Sequence, residues 1–80
     1  MVAQPVFVGI DVAKAALDVA VSPTAERWTL AYTEREVAGL VPRLTALDPA
    51  LVVLEATGGL EGPLAGALAA AGLPVVVVNP

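Results

Sequence analysis

The stretch VFVGIDVAKAALDVAV, residues 6–21, decides how the chain begins to fold. Apolar residues alternate with others through both halves, which is the period-2 pattern of β-strands. The alternation is interrupted around residues 12–15, where we expect a turn. The stretch therefore predicts a hairpin whose apolar face carries Val6, Val8, Ile10, Leu17, Val19 and Val21. Asp11 ends the first strand, and burial of such a carboxylate is costly unless a partner compensates its charge.

The chain has 80 residues, which is enough for one small domain with a marginal core. Hydrophobic residues make up 58% of it, above the roughly 45–50% of ordinary soluble domains. We therefore expect apolar surface to remain exposed, available to further chain or to a partner.

The chain contains neither cysteine nor histidine, and its formal net charge is −4. Disulfides, thiolate or imidazole metal sites and histidine-activated nucleophiles are therefore excluded, and carboxylates remain as the strong metal ligands. There is no basic patch to hold a phosphate backbone. The four cations are Lys14, Arg27, Arg35 and Arg43.

No membrane or export segment is expected. The apolar run over residues 63–78 is interrupted by Gly72 and Pro74, and a spanning helix needs about 20 continuous apolar residues. The amino terminus has no basic region before its apolar run, so a signal peptide is not indicated. These features predict a cytoplasmic protein with no membrane partner.

A third strand is predicted over residues 26–32, with Trp28 and Tyr32 on one face as packing residues, since no cluster of basic residues accompanies them. Thr33 and Glu36 have the capping-box spacing that starts a helix. Pro42 predicts a kink, or a late helix start near Leu40. Asp48 and the proline after it should end this helix.

LVVLE, residues 51–55, is a short continuous apolar run that predicts a strand buried on both faces. Helical spacing follows through Leu64 and Leu68 to Gly72, a residue suited to a left-handed helix stop. LPVVVVNP, residues 73–80, predicts another buried strand. Strand, helix and strand with short links predict a right-handed parallel crossover, so the fold class is α/β, a βββαβαβ mixed sheet with helices.

Asp11 and Glu55 are the candidate site residues. This topology can place the first strand centrally, beside the fourth, and both carboxylates then lie near the carboxyl ends of neighbouring strands, where α/β sheets bind ligands. Two adjacent carboxylates repel each other unless a divalent cation neutralises them or one takes a proton. Oxygen ligands favour Mg²⁺ or Mn²⁺, which suits displacement at a phosphodiester.

Three motifs in this order carry a resemblance to a known family. GIDVAKAALDVAV (residues 9–21), LVVLEATGG (51–59) and AAAGLPVVVVNP (69–80) resemble the amino-terminal part of the bacterial DEDD-type insertion-sequence transposases, the IS110 family. The resemblance implies a RuvC-like, RNase H-like catalytic domain. It also implies that Asp11 and Glu55 are catalytic and bind Mg²⁺ for DNA strand cleavage and exchange. The partners that it implies for the full-length protein are DNA and a guide RNA that selects it.

Family members are also expected to carry two more acidic residues and a second domain with a nucleophilic serine, beyond the stretch that matches this chain. We therefore interpret residues 1–80 as an incomplete amino-terminal part of the catalytic domain. It should be inactive alone, with Mg²⁺ or Mn²⁺ bound in the complete protein, and it could form an oligomer or pair with full-length transposase.

Each candidate residue also has a plainer interpretation. Asp11 could start the hairpin turn, and Glu55 could be a charge at a helix amino terminus. Asp18 is expected to be a solvated strand position, Glu61 a first-turn helix charge and Lys14 a solvated cation. Residues 57–59, TGG, could cradle a phosphate with backbone amides.

Two alternative functions follow. The first is a catalytically inactive fragment that acts as an interaction module, which the excess of apolar residues favours. The second is a fragment of an actin-like or sugar-kinase phosphotransferase, which also begins with an acidic hairpin. That fold requires a glycine-rich phosphate turn after the aspartate, and GIDVAKAA, residues 9–16, contains none.

Overall fold

A computed structural model of the protein describes residues 4–79, which form five strands and two helices. In chain order these are β1 (Phe7–Val12), β2 (Ala16–Ser22), β3 (Arg27–Ala31), α1 (Glu34–Leu47), β4 (Leu51–Glu55), α2 (Gly62–Ala70) and β5 (Val75–Val78). The strands form one sheet in the order β3-β2-β1-β4-β5. The predicted βββαβαβ order is confirmed, and β1 occupies the predicted central position.

The sheet is mixed, because β1 pairs antiparallel with β2 and parallel with β4. The β1–β2 turn is tight, and the Ala13 N–H donates to the Ala16 carbonyl at 2.9 Å. Val12 belongs to β1, where it is buried and paired with Leu17. The turn therefore starts one residue later than the expected residues 12–15, since burial of Val12 extends the strand.

Both helices pack on the same face of the sheet and enclose a single core. Alternate residues of β1, β2 and β4 point into it, and Tyr32, just after β3, is half-buried beside it. Its buried members are Val8, Ile10, Val12, Leu17, Val19, Val21, Val37, Leu40, Leu44, Val52, Leu54, Ala56, Leu64 and Leu68. The opposite face of the sheet, which we call the open face, carries Asp11 and the other outward residues of these strands.

Helix α1 begins and ends as its sequence indicates. Glu36 donates its backbone N–H to Thr33 Oγ1 at 3.1 Å, which is one half of a capping box. The Thr33 N–H, the donor that would complete the box, bonds the Ala31 carbonyl instead. At the other end Asp48 adopts the left-handed conformation, with φ of 48°.

Pro42 lies inside α1 without delaying its start. The helix runs continuously from Glu34 to Leu47, so the expectation of a start near Leu40 is wrong. A proline removes the hydrogen bond to the carbonyl four residues earlier, here that of Ala38. Pro42 and Ala38 are both exposed, so water can satisfy that carbonyl.

Strands β4 and β5 differ from the expected burial on both faces. Val52 and Leu54 are fully buried, but Val53 on the open face is only half-buried. In β5, Val76, Val77 and Val78 are 40%, 42% and 37% exposed. The prediction is wrong because both helices lie on one face and β5 is an edge strand.

Helix α2 ends near Gly72, whose φ of 81° confirms the predicted left-handed stop. Neither helix within residues 4–79 has the length and apolar character that a bilayer crossing requires.

Candidate functional site

Asp11 and Glu55 are brought together by the sheet. Strands β1 and β4 are parallel neighbours, and their register places Asp11 directly opposite Glu55. Each residue lies near the carboxyl end of its strand. The two side chains share the open face, because the residues beside them, Ile10, Val12 and Leu54, point into the core.

Both carboxylates are exposed. Among residues 4–79 no polar or charged residue is buried, so the free-energy cost of burying a carboxylate does not arise at Asp11. Period-2 alternation explains this placement, because the position that follows a buried residue faces the opposite side of the sheet. The fold therefore presents the pair to solvent and to any ligand that approaches the open face.

Asp18 is a third carboxylate on the same face. The antiparallel register places it directly opposite Asp11, on the side away from Glu55. Its exposure agrees with the predicted solvated strand position, but its place beside Asp11 was not anticipated. The position of the hairpin turn determines which residues of β1 and β2 pair. Because the turn starts one residue later than expected, Asp11 pairs with Asp18.

Thr29 continues the row onto β3, where it is the register partner of Asp18. Its Oγ1 donates a hydrogen bond to Asp18 Oδ1 at 2.5 Å. Residues at one level of four adjacent strands thus form a line across the open face, which we call the acidic row. Its members in sheet order are Thr29, Asp18, Asp11 and Glu55.

The acidic row lines an open depression with a volume of about 490 Å³. Arg27, two residues before Thr29 on the same face of β3, lines it as well and brings a positive charge. Lys14 is exposed in the hairpin turn and lines a different groove, with Tyr32 and Leu60 on the helix side. Arg27 is therefore the cation placed toward the carboxylates.

The donor set fits a hard divalent cation in part. Within the described residues 4–79 no three acidic side chains converge on one point that could hold a metal ion. Mg²⁺ in proteins commonly uses one or two carboxylates and takes its remaining ligands from water and substrate phosphates. The pair Asp11 and Glu55 offers that minimal set.

The link from Glu55 to α2 carries the other predicted polar positions. Gly58 and Gly59 have φ of 64° and 77°, a left-handed conformation that glycine adopts without strain. Glu61 is the N-cap residue of α2, half-buried and without a side-chain capping bond. It lies at the amino-terminal end of the helix, close to its predicted first-turn position, and away from the acidic row.

Trp28 and Tyr32 pack on the helix side of the sheet, as predicted. The Arg43 guanidinium lies 3.7 Å from the centre of the Trp28 ring. The Tyr32 hydroxyl donates to the Leu60 carbonyl at 2.7 Å and accepts from the Leu64 N–H at 3.1 Å. Both aromatic residues therefore have structural contacts on the face opposite the carboxylates.

The sheet has the order β3-β2-β1-β4-β5, with acidic residues near the carboxyl ends of the parallel neighbours β1 and β4, and its fold is RuvC-like and RNase H-like. T. thermophilus RuvC, solved in complex with Holliday junction substrate, superposes with a TM-score of 0.71 at 19% sequence identity. The match covers 96% of this chain and 66% of the RuvC chain. At this identity the likeness establishes the fold.

Residues 8–80 match the transposase family of the DEDD type named after IS110. The match extends over nearly the whole sequence, so the chain belongs to this transposase family. No curated protein matches the chain in sequence. The resemblance carried by the three sequence motifs is thereby confirmed.

Proposed function

We propose that residues 1–80 form the amino-terminal part of a transposase catalytic domain that cleaves and exchanges DNA strands with Mg²⁺ or Mn²⁺. The observation that carries the proposal is the register of Asp11 with Glu55 on the exposed face of the two central strands. Family membership supports DNA recombination as the process in which the chain takes part. The structural likeness to RuvC, solved with a DNA junction, supports DNA as the partner.

In this proposal Asp11 and Glu55 are the catalytic carboxylates and the metal ligands. Their side chains lie in register on the open face and would hold the ion together. A divalent cation held there would polarise a phosphodiester and activate the attacking hydroxyl or water. The DEDD name denotes four acidic residues, and Asp11 and Glu55 would be the first two.

Electrostatics explains why a cation is needed for DNA to approach. DNA carries a dense negative charge, and the acidic row presents three carboxylates to the open face. The chain has four basic residues against eight acidic ones. Asp11 and Glu55 would therefore repel a phosphate until a cation neutralises them, while Arg27 could bind a flanking phosphate.

A titration with Mn²⁺, followed by electron paramagnetic resonance, tests the assignment. The complete protein is expected to bind the ion with further acidic residues, but the proposed pair should already bind it measurably. Asp11→Asn and Glu55→Gln should each weaken this binding by about tenfold or more, since even outer-shell partners of a metal contribute that much. Asp48→Asn is the matched control, because it removes the same charge at the end of α1, near the opposite end of β4. Equal binding by all four proteins would refute the site.

The second candidate function is an interaction module. The exposed valines of β5 and Phe7, which is 44% exposed, favour it, because they leave apolar surface on the open face and at the sheet edge. This proposal expects the chain to pair with itself or with a full-length transposase without cleaving DNA. DNA cleavage by the purified chain with Mg²⁺ would contradict it. The family match favours either candidate over a sugar-kinase phosphotransferase.

A further inference from the structure

The pairing of Asp11 with Asp18 is electrostatically unfavourable in the protein without a cation. Like charges that lie directly opposite each other on antiparallel strands are destabilising, and here Glu55 adds a third negative charge on the other side of Asp11. Neither aspartate has a basic partner in its own register row, since Asp18 pairs with Thr29 on its outer side. The arrangement costs stability that a divalent cation would restore.

Asp18 is also held in place. The hydrogen bond from Thr29 Oγ1 to Asp18 Oδ1 spans two neighbouring strands and ties the carboxylate to the row. The bond favours side-chain rotamers of Asp18 that keep its charge close to the register position of Asp11. Asp18 is thus part of the electrostatic environment of Asp11.

Asp18 is not placed to be a third direct ligand of the proposed ion. Neighbouring strands lie about 4.8 Å apart, so the backbones at Asp18 and Glu55, two strands apart, are separated by about 10 Å. Because Mg²⁺ binds oxygen at about 2.1 Å, the side chains of Asp18 and Glu55 could share one ion only by turning toward a common point above Asp11. Within residues 4–79 they do not converge on such a point.

We propose that Asp18, fixed by Thr29, is a positioning residue whose negative charge raises the affinity of the Asp11–Glu55 pair for a divalent cation. The inference rests on the proposed function, because it assumes that this pair binds the ion. Asp18 would act through its charge, from its position beside Asp11. The same charge destabilises the protein without the ion, so its removal should have opposite effects in the two states.

The test is a Mn²⁺ titration of wild type, Asp18→Asn, Asp18→Glu and Asp48→Asn. We expect Asp18→Asn to weaken binding by about three- to tenfold, as loss of one screened charge near a divalent ion should. Asp18→Glu keeps the charge and should bind nearly as wild type does. Asp48→Asn removes a distant charge and should also bind as wild type does.

Thermal unfolding provides a second test, because a purely structural role of Asp18 would not make the effect of its substitution on melting temperature depend on the ion. Without divalent ions, Asp18→Asn should melt at a higher temperature than wild type, and saturating Mn²⁺ should reduce or reverse this difference. Asp18→Thr places a good strand former at the same position and repeats the test if the asparagine variant folds poorly.

The outcomes distinguish the two proposals. If Asp11→Asn and Glu55→Gln weaken Mn²⁺ binding but Asp18→Asn binds as tightly as Asp48→Asn, the role of Asp18 is refuted and the metal site stands. If none of these variants weakens binding, the proposed function itself fails. A lower melting temperature for both Asp18→Asn and Asp18→Thr without ions would also overturn the inference.

Discussion

Asp11 and Glu55 lie directly opposite each other on parallel strands, although β2, β3 and α1 separate them in the sequence. The order of the strands produces this proximity, because β1 occupies the centre of the sheet and the crossover through α1 returns the chain to its side. The position of the two carboxylates therefore depends on the packing of the core beneath them. Their energetic cost depends on the electrostatics of the open face.

The electrostatic cost of the acidic row can be measured at Asp11. In the absence of divalent ions and at low salt, Asp11→Asn should raise the free energy of unfolding by about 0.5 kcal/mol, because it removes the central charge of three. Urea denaturation followed by circular dichroism measures the change. Near 1 M salt, where charges are screened within about 3 Å, the difference should disappear. A lower stability of the variant at low salt would contradict this prediction.

The packing beneath the site depends on Leu54, which is fully buried next to Glu55. Leu54→Ala should destabilise the protein by about 2–5 kcal/mol, through lost burial and the cavity left behind. A domain of this size has roughly 4–12 kcal/mol of total stability, so a measurable fraction should unfold. Val77→Ala, at an exposed position of β5, is the control and should cost less than about 1 kcal/mol. Equal losses in the two variants would show that Leu54 is not a core residue.

Tyr32 connects the end of β3 to the start of α2. Tyr32→Phe removes the hydroxyl that bonds both the Leu60 carbonyl and the Leu64 N–H, and should cost about 1–2 kcal/mol because both backbone groups lose a partner. Chemical denaturation gives this cost, and hydrogen exchange at the Leu64 amide should become faster. Thr24→Ala, at an exposed turn, is the control. Unchanged exchange at Leu64 would show that the Tyr32 hydroxyl does not protect this amide.

The edge strand β5 should promote self-association at high protein concentration. Its exposed valines and unpaired outer backbone groups form an edge without a charge, and natural proteins commonly protect such edges with lysine. Val76→Lys should lower the weight-average molar mass measured by sedimentation equilibrium in the analytical ultracentrifuge. Ala69→Lys adds the same charge at an exposed position of α2 and should leave the mass unchanged. If both variants reduce association equally, net charge rather than the edge is responsible.

The sequence predicts the order of the elements along the chain, and it identifies Asp11 and Glu55 as residues that the sheet can bring together. Side-chain alternation in residues 6–21 predicts the hairpin, and the short links around α2 predict that β4 and β5 are parallel. This order of elements allows a central β1 beside β4 but does not require it. These patterns are local, and the position of each strand in the sheet depends on contacts between elements that are distant in the sequence.

Burial of β4 and β5 could not be predicted in the same way. A run of valines is compatible with a covered strand or with an edge strand, and the difference depends on which side the two helices pack. The position of Asp18 opposite Asp11 depended on a single residue in the hairpin turn, and apolar alternation alone does not specify where a turn begins. Burial of Val12 settles it, and that burial is a tertiary contact.

The placement of Asp11 and Glu55 on hydrogen-bonded strands has a consequence for ion selectivity. Backbone hydrogen bonds hold neighbouring strands about 4.8 Å apart, so the separation of the two side-chain attachment points cannot widen or narrow to suit an ion. Flexible loops accommodate Ca²⁺, which accepts six to eight ligands at variable distances, whereas Mg²⁺ demands a fixed octahedron. If Asp11 and Glu55 hold an ion as proposed, the fixed spacing of their strands would help to discriminate between ions of different size.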